Sequence, residues 1–127
     1  MDYLKQSSAK KIIWNRTEQE LRTFISLCIK HNLVEKPKII EEYLVNFIIQ
    51  GNPEFNNIKP IMMKLKSSNR DLIYIIYKLS YKNIILDQND LWETTSQVFI
   101  SNKNTPLKPD SMSVEALKVI KKKRTIS

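Results

Sequence analysis

The apolar residues of the segment TEQELRTFISLC, at 17–28, recur at the spacing of an amphipathic helix. Four of them fall on one helical face: Leu21, Phe24, Ile25 and Cys28. Thr17 stands directly ahead of this stripe, and Glu20 follows three residues later, which is the spacing of a capping box. The pattern therefore predicts a helix that begins after Thr17.

The same pattern returns 51 residues later, in the segment SNRDLIYIIYKL. Ser68 and Asp71 take the capping positions. Four apolar residues repeat the stripe: Leu72, Ile75, Ile76 and Leu79. The match continues without a gap, so that Asn32-Leu33-Val34 corresponds to Asn83-Ile84-Ile85, a turn that leads into an extended piece. A duplicated helix–turn–helix unit explains this match, and so does the likeness of any two amphipathic helix pairs in an Ile-rich chain.

Each copy also contains a second apolar stripe, which predicts a second helix. Its positions in the two copies are Ile40, Phe47 and Ile48, and then Leu91, Val98 and Phe99. The segment between the copies favours a short helix from Pro53 to Lys59, which Pro60 ends. A last helix is expected to begin near Asp110 or Ser111. Its apolar side is expected to consist of Ala116, Leu117, Val119 and Ile120.

Apolar and polar residues alternate from Ile61 to Lys66, as in a short strand, and the run 11–14 is a candidate partner in a two-stranded ribbon. The chain has one Gly, whereas sheet-rich folds with many tight turns use more. We therefore expect a mainly α fold, in which two tandem helix-turn-helix units pack together with a short β-ribbon. The expected parts are an N-terminal arm at 1–11, a first unit at 12–59, a second unit at 60–120 and a basic tail at 121–127.

The composition is typical of an intracellular globular protein. Apolar residues make up 42% of the chain, too many for a disordered protein. Cys28 is the only cysteine, which excludes an intrachain disulfide and favours a reducing compartment. The first residues, MDYLKQSSAKK, lack the apolar region of a signal peptide, and the apolar runs are too short to span a bilayer. We expect a soluble, cytoplasmic protein without membrane contact.

Residues that carry catalysis or hold metals are scarce. His31 is the only histidine and lies three residues after Cys28, but Cys28 occupies a predicted core position and no third group orients the pair. The acidic clusters, Glu41-Glu42 and Asp87 with Asp90, are too small for a metal site. A single glycine excludes a glycine-rich phosphate loop. We expect no enzyme, no cofactor and no metal.

Basic residues are concentrated in the second half of the chain. The net charge is +8, and residues 57–127, with thirteen basic and six acidic residues, carry +7 of it. A field of this sign attracts polyanions, and cations on phosphates give affinity without sequence choice. The candidate nucleic-acid contacts are Lys64, Lys66, Arg70, Lys108, Ser111, Ser113, Lys118, Lys121, Lys122, Lys123 and Arg124. A solvated lysine face, with cations that complement the end of the last helix, explains the same residues.

Tyr74, Tyr77 and Tyr81 recur at helical spacing beside the apolar stripe of the second unit. We expect them to border the interface between the two units, and base stacking is the other interpretation. Trp14 and Trp92 are expected in the core or at a hinge.

The second unit resembles a known family. The segments KLKSSNRDLIYIIYKLSYKNII and LWETTSQVFISNKNTPLKPDSMSVEALKVI are similar to the C-terminal region of the RteC family of conjugative-transposon regulators, and IIWNRTEQELRTFISL has a similar cast. The likeness covers roughly residues 12–120, is best over 63–117 and consists mostly of hydrophobic patterns. It implies a winged-helix-like, DNA-binding domain that controls excision or transfer of the element. The chain is short for the family, which favours a stand-alone DNA-binding or accessory module.

Two functions stay open at this point. The first is a small DNA-binding regulator or accessory protein of a mobile genetic element, which contacts the phosphates of double-stranded DNA through its basic C-terminal half. Its recognition helix is expected at 111–124, after a helix at 90–100. The alternative is a helical protein–protein interaction module, an adaptor or an inhibitor with no nucleic-acid partner, whose contact surface is the tyrosines or Met62-Met63. A homodimer stays open as well.

Overall fold

The structure is a computed structural model that describes residues 10–86 and 90–126, with side chains described through Lys118. Its strands are β1 (Ile12–Trp14), β2 (Phe47–Ile49), β3 (Met63–Lys64) and β4 (Phe99–Ile100). Its helices are α1 (Glu18–Lys30), α2 (Glu41–Leu44), α3 (Asn69–Tyr81), α4 (Leu91–Val98) and α5 (Pro109–Ile126), with a 3-10 turn at Pro53–Phe55. The predicted arm at 1–11 lies outside the described residues except for Lys10 and Lys11.

Local sequence signals set where α1 and α3 begin and end. Thr17 Oγ1 accepts a hydrogen bond from Glu20 N at 3.2 Å, and the Glu20 carboxylate accepts one from Thr17 N at 3.5 Å, so the predicted capping box is confirmed. Ser68 Oγ caps α3 by accepting from Asp71 N at 3.3 Å, also as predicted. Each helix has 13 residues and is followed by an asparagine in the left-handed region. These residues are Asn32, with φ of 60°, and Asn83, with φ of 59°.

The two units exchange backbone hydrogen bonds with each other. The extended segment after α1 reaches β3 of the second unit, and the equivalent segment after α3 reaches β1 of the first. The bonds form pairs offset by 51 residues: Glu35 N to Lys64 O (2.9 Å) with Leu86 N to Ile13 O (3.0 Å), and Lys66 N to Leu33 O (2.8 Å) with Asn15 N to Ile84 O (2.8 Å). Each unit therefore supplies an antiparallel neighbour for the first strand of the other.

The other edge of each first strand pairs within its own unit. β1 runs parallel to β2, with Ile12 opposite Phe47, and β3 runs parallel to β4, with Met63 opposite Phe99. The buried residues of both units form one continuous core. Trp14 lies in this core, as predicted, with its ring centroid 6.0 Å from that of Phe47.

The predicted mainly α fold is wrong, because four short strands form two small parallel sheets and make the fold mixed α/β. The expected ribbon between 11–14 and 61–66 does not form, since each of these strands pairs with a strand of its own unit. α4 passes directly into β4, so α5 does not follow α4 through a tight turn. The described residues therefore contain neither a helix-turn-helix of α4 and α5 nor a winged helix.

The first unit has less helix than its apolar pattern predicts. α2 has four residues, and the predicted helical positions at 47–48 lie in β2. The chain leaves the helix because the buried Asn46 side chain bonds to the Ile61 backbone, donating to its oxygen at 2.8 Å and accepting from its nitrogen at 2.7 Å. The helix expected from Pro53 to Lys59 is only the 3-10 turn.

The last helix packs on α3 and α4. It begins at Pro109, next to the predicted start. Met112 and Ala116 are buried against the other helices, whereas Leu117 is 58% exposed, so the predicted apolar side is wrong at this residue. The side chains of Val119 and Ile120 lie outside the described part.

Candidate nucleic-acid interface

Ser101 fixes the loop between β4 and α5. Its hydroxyl oxygen accepts hydrogen bonds from Lys103 N at 3.2 Å and Thr105 N at 3.0 Å, and it lies 2.6 Å from Thr105 Oγ1. Asn104 has φ of 62°, in the left-handed region that asparagine tolerates. The loop is therefore a tight turn that presents Lys103 to solvent.

This loop lies beside the start of α3. Asn102 Nδ2 donates to Ser67 O at 3.3 Å, although the two residues are far apart in sequence. Lys103 and Lys66 are the chain neighbours of these bonded residues, and both are exposed. The contact therefore brings two distant lysines onto one surface.

A groove of about 460 Å³, here called the polar groove, opens where α3 and α5 begin. Its lining residues are Asn69, Arg70, Ile73, Thr105, Pro106, Lys108, Ser111, Met112 and Glu115. The N-terminal end of a helix carries a partial positive charge, and two such ends meet here. Arg70 and Lys108 add full charges, so the groove has the electrostatic character that anions favour.

Five exposed basic side chains surround the polar groove and the adjoining loop. We call them the basic surface: Lys66, Arg70, Lys103, Lys108 and Lys118. Glu115 lies between two of them, 3.6 Å from Arg70 Nε and 3.5 Å from Lys118 Nζ, so two cations share one carboxylate. Two further carboxylates stand at the helix starts beside the basic surface: Asp71 on α3 and Asp110 on α5. Five cations against three carboxylates leave the surface positive.

The structure brings together most of the predicted contacts whose side chains it describes. Those on the basic surface or in the polar groove are Lys66, Arg70, Lys108, Ser111 and Lys118. Lys64 does not line the polar groove, and its Nζ lies 3.7 Å from Glu35 Oε2 of the first unit. Ser113 lies on the opposite flank of α5. The backbone of α5 continues through the remaining residues, whose side chains lie outside the described part: Lys121, Lys122, Lys123 and Arg124.

Sequence analysis missed Lys103 and Asn102. A local signal was present, because SNKN contains the serine and asparagine residues that favour tight turns. The signal predicts the turn but not its neighbour, since the approach of this loop to α3 depends on a contact across 35 residues.

A second groove of about 480 Å³, here called the aromatic groove, lies between α3, α4 and α5. Its lining residues are Tyr77, Ser80, Tyr81, Asn83, Leu91, Trp92, Ser113, Ala116 and Leu117. The rings of Tyr77 and Tyr81 have centroids 6.0 Å apart and planes inclined by 35°. Both tyrosines therefore line a groove formed by residues of the second unit. The expectation that they border the interface between the units stays a prediction.

The residues considered for catalysis lie apart from both grooves. Cys28 is partly buried, and burial raises the pKa of its thiol to about 12, so the thiol is protonated at neutral pH. His31 is the exposed residue that ends α1. Among the described residues, no three His, Cys, Asp or Glu side chains come together. Asp87 of the predicted acidic pair lies outside them.

No protein-family model, no curated protein and no solved structure matches the chain. The resemblance to the RteC family therefore stays a prediction from sequence patterns. Within residues 10–86 and 90–126, none of the helices combines the length and the apolar character that crossing a membrane requires.

Proposed function

We propose that this protein binds double-stranded DNA through the basic surface, mainly by contacts with phosphates. The observation that carries the proposal is the convergence of three separate segments, 66–70, 102–108 and 111–118, around one groove and its adjoining loop. All five basic residues of this surface are exposed. Contacts of this kind give electrostatic affinity that does not depend on base sequence.

The ion pairs on this surface leave it free to bind phosphates. The side chains of Arg70 and Lys118, which share Glu115, are 73% and 68% exposed. Exposed ion pairs contribute only about 0–1 kcal/mol, so a phosphate displaces them at little cost. Arg70 then offers a planar pair of donors, and Ser111 adds a neutral donor close to the start of α5.

α5 extends the positive charge away from the polar groove. It has 18 residues, which corresponds to about 27 Å, and Lys121–Arg124 in its last part adds four cations in sequence. A helix of this length matches about eight base pairs at 3.4 Å each. α5 would follow the DNA backbone in this arrangement. A role as an accessory or regulatory protein of a mobile genetic element rests on the RteC resemblance alone.

Two charge-matched variants test the proposal in fluorescence anisotropy on a labelled duplex of arbitrary sequence. The first removes three cations of the basic surface: Lys66→Gln, Lys103→Gln and Lys108→Gln. The second removes three exposed cations of the first unit: Lys30→Gln, Lys36→Gln and Lys38→Gln. We expect the first variant to bind at least about tenfold more weakly, with the slope of log affinity against log salt reduced by about 2–3. The second should stay within about threefold of the unaltered protein.

Two outcomes would contradict the proposal. Equal losses in both triple variants would mean that only net charge matters, which overturns the basic surface as the site. Absence of duplex binding by the unaltered protein at low salt overturns the DNA partner itself. A variant that ends at Ile120 measures the contribution of residues 121–127 to duplex binding. Its slope of log affinity against log salt is expected to be smaller by about 3–4.

A protein partner is the second candidate, and exposed apolar residues on α5 favour it. Val114 is 53% and Leu117 58% exposed, on a helix whose opposite side packs on the second unit. Exposed apolar residues that lie together are typical of interaction sites. For this function, Leu117→Lys should abolish the complex between this protein and its protein partner, as measured by sedimentation velocity. For the DNA function, the same variant should keep or raise the duplex affinity.

A further inference from the structure

The aromatic groove exposes the rings of Tyr77 and Tyr81, which do not belong to the hydrophobic core. Tyr81 is 73% exposed, the largest value among the exposed large apolar side chains of the described residues. Its ring and that of Tyr77 stand on one side of the groove, with Trp92 and Leu117 on the others. The volume of about 480 Å³ falls within the range of about 300–1,000 Å³ that is typical of sites for small ligands. The groove therefore suits a flat, apolar ligand group.

Polar groups at the edge of the groove add hydrogen-bonding capacity. Ser80, Asn83 and Ser113 line it together with the rings. Hydroxyl and amide groups both donate and accept, which is what the edge of a nucleobase requires. A heteroaromatic ring can form hydrogen bonds with these groups that a purely aliphatic ligand cannot form, so the lining favours a heteroaromatic ring.

The cations beside the groove, Arg16, Lys82 and Lys10, outnumber the carboxylates, Asp90 and Glu93. Arg16 donates to the backbone oxygens of Asn83 at 3.0 Å and Lys82 at 3.3 Å, which places two cations next to the groove. The carboxylates that flank Leu91 and Trp92 already pair with Lys10 Nζ: Asp90 at 2.9 Å and Glu93 at 3.2 Å. A ligand that combines a flat ring with negative charge fits this edge, and a nucleotide of a DNA strand has both.

The aromatic groove and the basic surface lie on the same two helices. On α5, Ser111 and Glu115 line the polar groove, and Ser113 and Leu117 line the aromatic groove, on the two sides of the buried line from Met112 to Ala116. Along α3, the twelve residues from 70 to 81 span about 16 Å, or about five base pairs. A strand held on the basic surface therefore reaches the aromatic groove within a few nucleotides.

We propose that the aromatic groove binds an unpaired nucleobase of the DNA that the basic surface holds. The base stacks on Tyr81, and the adjoining phosphates face Arg16 and Lys82. This proposal rests on the proposed function and narrows its substrate to duplexes with a single-stranded extension or an extruded base. Stacking of bases on exposed aromatic rings is a general basis of single-strand binding.

Two probes and two tyrosine variants test this site. The probes are a blunt duplex and the same duplex with a short thymidine extension. We expect the unaltered protein to bind the extended probe about fivefold to tenfold more tightly. Tyr81→Ala should abolish this preference and keep the affinity for the blunt probe. The matched control is Tyr74→Ala, on the same helix but outside the groove, which should keep the preference; thermal melting checks that both variants fold.

The outcomes separate this proposal from the proposed function. The triple variant Lys66→Gln, Lys103→Gln and Lys108→Gln should weaken both probes equally and keep the preference. Equal binding of both probes by the unaltered protein overturns the nucleobase site and leaves duplex binding standing, whereas binding of neither probe overturns both. Full preference in Tyr81→Ala overturns the groove as its place. A Tyr81-dependent complex with a protein, combined with equal binding of both probes, overturns it as well.

Discussion

The two units have the same backbone arrangement, but different residues cover the outer face of the first helix of each unit, α1 and α3. In the second unit Ile73 is 3% exposed and lines the floor of the groove where α3 meets α5. The position 51 residues earlier is Arg22, which lies 2.7 Å from Glu18 and 2.7 Å from Glu41. The Arg22 guanidinium holds the pKa of Glu41 below its usual range. In the second unit, the apolar residue Ile73 therefore packs beneath α5. In the first unit, Arg22 occupies the equivalent position and forms an ion-pair network instead.

The same comparison explains why the basic surface lies on the second unit. The start of α1 carries Glu18 and Glu20, whereas the equivalent positions of α3 are Asn69 and Asp71. Arg70 stands where the first unit has Gln19. Substitutions at the helix start thus make this end of the second unit more positive, and the loop and α5 that follow add the remaining lysines.

Exchanging the residue types of Ile73 and Arg22 should have the largest effect on the free energy of unfolding. Ile73→Arg places a guanidinium in a buried apolar position beneath α5, and we expect the free energy of unfolding to fall by about 3–5 kcal/mol. The matched change, Arg22→Ile, removes partly exposed ion pairs and should cost no more than about 1 kcal/mol. Urea denaturation measures both values. Similar losses would show that both outer faces are closed by apolar packing.

The helix caps should differ by a smaller amount. Thr17 belongs to a reciprocal capping box, whereas Ser68 Oγ caps α3 by accepting one hydrogen bond, from Asp71 N. We expect Thr17→Ala to lower the free energy of unfolding by about 1–2 kcal/mol and Ser68→Ala by about 0.5–1 kcal/mol. Ser26→Ala, on the exposed face of α1, is the control and should cost nothing. A larger loss for Ser68→Ala than for Thr17→Ala contradicts this ranking.

The left-handed asparagines should behave alike, because the motif at the two helix ends is the same. Asn32→Ala and Asn83→Ala are each expected to cost about 1 kcal/mol, since alanine lacks the short polar side chain whose local hydrogen bonds let asparagine adopt a positive φ. Asn32→Gly and Asn83→Gly should stay within about 0.5 kcal/mol of the unaltered protein. Thermal denaturation of the four variants gives the values. A clear difference between the two sites would mean that the helix ends carry unequal strain.

Cys28 should give the smallest change at neutral pH and a diagnostic change at high pH. It stands where the second unit has Leu79, and Cys28→Ala is expected to cost less than about 1 kcal/mol at pH 7. Above about pH 8.5 the thiol ionises in the unfolded chain but stays protonated in the folded one, whose pKa is about 12. The unfolded state then binds fewer protons, so the unaltered protein loses stability as pH rises.

Urea denaturation at several pH values checks this expectation. The difference in free energy of unfolding between the unaltered protein and Cys28→Ala should shrink as pH increases, because the alanine variant lacks the titrating group. Other groups that titrate in the same range are present in both proteins and cancel in the difference. A constant difference would mean that the Cys28 thiol ionises equally in the folded and unfolded states.

Signals within one helix turn predicted most of the local structure. Residues close in sequence are enough to predict α1 and α3, the caps at Thr17 and Ser68, and the turns at Asn32 and Asn83. The position of Trp14 in the core follows from its place in an apolar run. The sequence predicts Lys66, Arg70 and Lys108 as contacts from their charge and, for the first two, from their place at a helix start, and the tertiary fold collects them around the start of α3.

Pairings between distant segments could not be predicted. The apolar run at 47–49 fits a helix stripe as well as a strand, and its parallel pairing with β1 decides the outcome. The buried amide of Asn46, which bonds to Ile61, ends α2 by a contact that no local pattern contains. Lys103 and the aromatic groove were missed for the same reason, because both depend on where α5 and its preceding loop settle.

The reciprocal backbone bonds between the halves have a consequence for folding. Each unit supplies the antiparallel hydrogen-bonding partner for the first strand of the other unit. Neither unit can therefore complete its backbone hydrogen bonds alone, and the protein should unfold in a single cooperative step. A chain cut in the joining segment would yield two incomplete pieces that regain order only by recombining. An isolated half would satisfy its open edge with a second copy of itself.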